Sequence, residues 1–148
     1  MLPTYDAPTV AILLGLPPAT AAHPTTPATI EHAVEQGLPR TALRHVIQRI
    51  AGADPTRITR LEHSIVPKTT LERRTTRLSP EESERTERLA RLFAHAIRAL
   101  GSEDEARAFL TTPHPMLENR TPLEAARTDL ATRRAEHILH ALEYGLAS

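Results

Sequence analysis

Between positions 68 and 77 one short segment brings together Lys68, Thr69, Thr70, Arg73, Arg74 and Arg77. Lysine and arginine reach phosphate oxygens or guanine edges, and threonine bonds a phosphate or contacts a thymine methyl. The chemistry that suits this cluster is recognition of nucleic acid. Residues 69, 70 and 73 share one side of a helix, opposite Leu71, so such a helix is basic outward and apolar inward. The plain alternative is a solvated surface that happens to be basic. Charge is concentrated here. Residues 57–78 carry a net +4, whereas 1–56 carry −1 and 79–148 carry −3, in a chain whose formal charge is zero. Affinity for phosphates follows the local patch rather than the total.

Other chemistry is harder to assemble. His137 and His140 stand three apart on one helix, a spacing that grips a metal, but no third ligand matches them and no zinc-protease pattern is present. They are read as a solvated or interfacial pair, and no metal site is expected. His95 reads as a residue at the edge of the core rather than a base. Glu103, Asp104 and Glu105 read as the acidic first turn of a helix. Arg133 and Arg134 are read as surface charge, with pairing to a partner's carboxylates as the alternative. Five glycines are too dispersed for a phosphate loop, and without cysteine there is no disulfide, zinc-thiolate site or thiol nucleophile. No active site and no cofactor are expected.

The elements that position these residues are written in capping signals. Thr26-Pro27, Asp54-Pro55, Ser79-Pro80 and Thr121-Pro122 each place a side-chain acceptor before a proline suited to the first helical position. Ser79 with Glu82, Thr121 with Glu124, and Ser102 with Glu105 have the spacing of capping boxes. Pro39 opens a helix to about Ile50 that Gly52 ends. From Pro80 to Leu100, the residues Leu89, Leu92, Phe93, Ala96, Ile97 and Leu100 form one apolar stripe. Ala131, Ala135, Ile138, Leu139 and Leu142 form a second stripe near the end of the chain. No stretch alternates with period two, and aromatics make up only 3%, so an all-α fold is predicted. Two short helices, Pro55 to about His63 and one from Pro67 or Lys68, joined across Ser64-Ile65-Val66, predict a helix-turn-helix with the second helix as reader. Residues 1–27 hold six prolines and predict an extended or disordered arm in which Val10, Ile12, Leu13 and Leu14 dock on the chain's own core. The apolar run Val10 to Leu16 is too short to span a bilayer and lacks a basic flank. The chain reads as cytoplasmic, with no membrane partner.

The stretch Arg77-Leu78-Ser79-Pro80-Glu81-Glu82-Ser83, followed by Arg88-Leu89-Ala90-Arg91-Leu92, resembles the toxin-binding domain of the Xre/MbcA/ParS antitoxin family, partners of RES-domain toxins. The resemblance continues through Ala106 to Pro113 and Pro115-Met116-Leu117. It is strongest at Asn119-Arg120-Thr121-Pro122-Leu123-Glu124 and ends at Ala141-Leu142-Glu143-Tyr144-Gly145-Leu146. Residues 37–78 are similar to that family's Xre-type DNA-binding half. The sequence departs from the pattern at His114-Pro115, where many relatives have Asn before Pro, and at Glu118-Asn119, which replaces a Gly-rich turn.

The resemblance implies an antitoxin with three segments: a Pro-rich flexible arm (1–27), a helix-turn-helix domain (28–78) and a toxin-binding domain (79–148). Its partners would be a RES-type, NAD-consuming toxin and operator DNA, with a homodimer reading a two-fold operator. In the family the C-terminal end sits at the toxin's active-site cleft, which puts Tyr144, Gly145, Leu146, Ala147 and Ser148 in that role. The other class in play is a helix-turn-helix transcriptional regulator with no toxin partner.

Overall fold

The computed structural model describes residues 5–145. Nine α-helices and one short 3-10 turn follow in order: α1 (Ala7–Leu13), α2 (Pro27–Gln36), α3 (Arg40–Ala51), α4 (Pro55–Ile65), α5 (Lys68–Glu72), α6 (Pro80–Leu100), α7 (Glu103–Leu110), the turn Pro115–Leu117, α8 (Pro122–Ala125) and α9 (Asp129–Tyr144). Among the described residues there is no strand, only two isolated bridges, Pro39 with Arg77 and His114 with Arg120. The fold is all-α.

The helix starts lie where proline follows a capping residue. Thr26, Asp54, Ser79 and Thr121 each accept a bond from an amide of the first turn, with proline beside them. Ser79–Glu82 and Thr121–Glu124 close both arms of a capping box. Ser102 makes its arm, accepting from the Glu105 amide. Each such cap contributes about 1 kcal/mol by satisfying an amide that the helix itself cannot.

At the centre stands α6. It packs on α9 and α7 along one side and on α1, α2, α3 and α4 along others. Leu89, Leu92, Phe93 and Ala96 are fully buried, and Ile97 and Leu100 lie partly buried at the edge of one continuous core. With few aromatics, close packing is reached by branched aliphatic side chains and alanines that let helices approach closely. Position 79, expected to open the last segment, is the N-cap of this shared helix.

Within the segment expected as an extended arm, Ala7–Leu13 is helical. Asp6 caps a helix by accepting from the Thr9 amide, and Pro8 sits in the first turn where its missing donor costs nothing. Ala7, Val10, Ala11, Leu13 and Leu14 are buried against α6, α2 and α3, whereas Ile12 is 59% exposed. Tyr5 adds a hydrogen bond to Glu87 Oε2 at 2.6 Å, and His45 Nδ1 meets the Leu13 carbonyl oxygen at 3.0 Å. Seven helical residues carrying four buried side chains offset the ordering cost through burial, which composition alone does not register.

Candidate functional site

The basic segment is held by two pieces of backbone. From α4 the chain passes through Val66 and Pro67 into α5, with Val66 extended (φ −128°, ψ 118°) and Pro67 as N-cap (φ −54°, ψ 147°). A residue before proline is restricted to extended conformations, so the turn needs no positive φ and no glycine. Ile65, Val66 and Leu71 are buried beneath it.

The second helix is shorter than the sequence suggests. It stops at Glu72, and Arg73 and Arg74 make tightened bonds from their amides to the Thr70 and Leu71 carbonyls, at 3.2 and 3.1 Å. The chain then runs extended to cross residues 38–40, where the Arg40 amide donates to Thr76 O (2.9 Å) and the Leu78 amide to Leu38 O (2.9 Å). The crossing is close. Gly37 has φ +91°, and a Cβ there would stand 2.5 Å from Leu78 O. Helical geometry through Arg77 would forfeit this crossing.

Consequently the six basic and hydroxyl residues are not equivalent. Lys68 and Thr69 are exposed on the first turn of α5 and Thr70 is half-buried, with a loose 4.0 Å pair between Lys68 and Glu72. Arg73 is exposed at the C-cap and has no ion-pair partner among the described residues. Arg74 turns inward. Its Nε and Nη2 each donate to a Glu82 carboxylate oxygen at 2.9 Å, while Glu82 Oε1 also accepts the Ser79 amide at 2.8 Å. The bond from Arg74 outweighs burial and, with the Ser79 amide, holds the Glu82 carboxyl down at about 2. Arg77 is exposed but donates through Nη1 to Gly37 O at 2.8 Å. Lys68, Thr69 and Arg73 therefore form the outward face. Arg74 and Arg77 brace the crossing behind it.

On the opposite half, α9 and the loop before it leave several large apolar side chains exposed. Leu130 is 72% exposed, Leu142 47% and Tyr144 55%, and Met116 beside the helix is 61% exposed. Arg133 pairs with Asp129 at 3.1 Å and stays largely in solvent. Arg134 instead staples the preceding loop: Nη1 and Nη2 reach the two Glu118 oxygens at 2.9 and 2.5 Å, and Nη2 also reaches Met116 O at 2.7 Å. That loop turns on Glu118 (φ 54°) and Asn119 (φ 62°), two left-handed residues at the point where the sequence departs from the Gly-rich pattern. His114 Nδ1 accepts the Met116 amide (3.1 Å), and the Arg120 amide closes the turn on Leu117 O (3.1 Å).

The end of α9 is tied to α6. Glu143 Oε2 accepts from Arg98 Nε at 3.0 Å, and Glu143 Oε1 lies 3.2 Å from His95 Nε2. Burial pushes the His95 imidazole down from its ordinary value, and the nearby Arg98 charge adds to this. Burial opposes the Glu143 charge, yet the Arg98 bond and charge hold its carboxyl below the usual range. Past this anchor Tyr144 stacks at 4.6 Å on the His140 ring, and Gly145 takes φ +79°. Leu146, Ala147 and Ser148 lie outside the described residues.

Met116 and Leu130 carry no helical period that marks them from sequence, and Leu142, expected in the buried stripe of α9, is 47% exposed. His137 is exposed, and no group of three metal-ligating side chains occurs among the described residues. No described helix is long and apolar enough to cross a membrane.

Residues 94–145 match the family described as the antitoxin Xre/MbcA/ParS C-terminal toxin-binding domain. The matched segment begins inside α6 and takes in α7, the 115–120 loop, α8 and α9. No curated protein matches the chain. The segment is similar to that domain, which supports an antitoxin role in a toxin–antitoxin system and implies a toxin as partner.

Proposed function

We propose that the chain is the antitoxin of a type II pair whose toxin is a RES-type, NAD-consuming enzyme, and that it represses its own operon. The reading is carried by the similarity of residues 94–145 to a toxin-binding domain, a segment that leaves Met116, Leu130, Leu142 and Tyr144 exposed. The toxin docks along Leu130, Met116 and Tyr144, and residues 144–148 occlude its active site. The anchor at Glu143 suits this role, because it fixes the last helical turn while leaving Tyr144 exposed. Occlusion needs no catalytic group on the antitoxin. Operator DNA lies against α5, contacted by Lys68, Thr69, Thr70 and Arg73, with Arg74 and Arg77 supporting that face. The segment 28–78 serves as the DNA-binding half and 79–148 as the toxin-binding half, and two copies pair to read a two-fold operator.

Co-purification of the chain with the product of its neighbouring gene tests the toxin reading, followed by NAD consumption by that product with and without the chain. A stable complex with suppressed NAD loss is the expected result. Failure to form a complex, with operator DNA still bound, would reduce the protein to a helix-turn-helix regulator.

A further inference from the structure

A cleft of about 430 Å³ opens beside the α4–α5 turn, lined by His63, Pro67, Arg85, Arg120, Glu124 and Arg127 among others. Its walls come from both halves of the molecule: the end of α4 and its turn on one side, α6 and the residues flanking α8 on the other. Three guanidinium groups and one imidazole face a single lining carboxylate, and that carboxylate, Glu124, is already held by the Thr121 amide and hydroxyl at 2.9 and 3.0 Å.

Two of the three arginines are fixed in place by carbonyls. Arg85 Nη1 donates to Ile65 O at 3.1 Å, which holds the guanidinium at the α4–α5 turn. Arg120 Nε donates to Leu117 O at 3.0 Å, with Nη2 on Glu118 at 3.1 Å. Arg127 differs. It is exposed, its backbone oxygen accepts from Arg88 Nη2 at 3.2 Å, and its side chain has no ion-pair partner among the described residues. The cleft thus sets two oriented cations, one of them shared with Glu118, and one uncommitted cation against a single lining carboxylate, a composition that takes an anionic oxygen cluster. Pro67, the N-cap of α5, lines the cleft, so the cleft opens beside the start of that helix.

We propose that this cleft holds a backbone phosphate of the DNA duplex that lies against α5, so that the DNA footprint crosses from the helix-turn-helix onto the toxin-binding half. The proposal rests on the DNA-binding reading above. Such a contact positions the duplex and reads no sequence.

Fluorescence anisotropy with the full chain tests it, using a duplex from upstream of its own gene and an unrelated duplex of equal length. Arg127→Ala is expected to weaken both by a similar factor, about fivefold, and to lower the log-affinity against log-salt slope by about 0.9. Arg127→Glu weakens both further, and the melting temperature of each variant stays that of the parent. If both variants bind with parental affinity and slope while Lys68→Ala and Arg73→Ala weaken binding, the cleft assignment is wrong and the DNA-binding reading stands. If the parent binds neither duplex at low salt, the DNA-binding reading falls and takes the cleft with it. A titration with inorganic phosphate separates the remaining source. Phosphate shifting the His63 and Arg127 resonances, with DNA affinity unchanged in both variants, would assign the cleft to a free anion and overturn the proposal.

Discussion

Replacing Glu82 by Gln isolates the brace behind the basic helix. The carboxylate is buried, with 5% side-chain exposure, and accepts two guanidinium donors and one amide, while Arg74 retains 34% exposure. Hydrogen bonds to a charged group contribute about 1.5–3 kcal/mol, and breaking a buried pair costs roughly 3–5 kcal/mol. Gln keeps the shape and one acceptor, and water reaches Arg74, so the loss falls near about 2 kcal/mol. In a chain of this size that lowers Tm by about 4–8 °C. The effect is linked to pH. Glu82 titrates near 2 rather than 4.5, so its contribution is complete above the unfolded value and is lost as pH falls from about 4.5 to about 2. Circular-dichroism melts of Glu82→Gln and the parent should differ by a constant interval from pH 6 to 8 and converge on acidification. A difference under about 2 °C at pH 7, or one that persists undiminished at pH 2, would refute the reasoning. Arg74→Ala should lower DNA affinity through the same loss of the brace, with its melting temperature falling alongside, whereas Arg73→Ala should lower affinity with Tm unchanged.

Removing residues 144–148 should abolish toxin neutralisation while leaving operator binding intact, read by growth rescue and gel shift; full rescue by the truncated chain would end the occlusion mechanism. Gly37→Ala meets both a positive φ and the Leu78 carbonyl at 2.5 Å. It should cost at least about 2 kcal/mol in urea unfolding, since left-handed geometry alone penalises a Cβ by roughly 1–2 kcal/mol. At Asn119, φ 62°, alanine should cost about 1 kcal/mol and glycine nearly nothing, because asparagine tolerates left-handed backbone better than alanine does.

What could be read from sequence was what local chemistry decides. Thr26, Asp54, Ser79 and Thr121 mark helix starts because a cap and its proline act within four residues. The stripes of α6 and α9 were legible because burial follows helical period. Helix α1 was missed because the prolines of 1–27 set the composition, while Val10, Leu13 and Leu14 are stabilised by α6, distant in sequence. The roles of Arg74 and Arg77 were equally hidden. Nothing in a basic run says that Arg74 will be taken by Glu82, or that Gly37 will accept from Arg77. The left-handed pair at Glu118-Asn119 lay at a departure from the family pattern; the ion pair from Arg134 that holds it depends on α9 packing against the loop.

The central position of α6 bears on how the chain is made. A nascent chain halted before α6 has α3 packed on α4 but lacks the helix on which α1, α2, α3 and α4 also close, and α7 and α9 make their largest contacts with that same helix. Until Pro80–Leu100 emerges, the early helices lack that part of their burial. The two ends of the chain thus complete their apolar faces on one shared helix, so a change that unseats α6 disturbs both together.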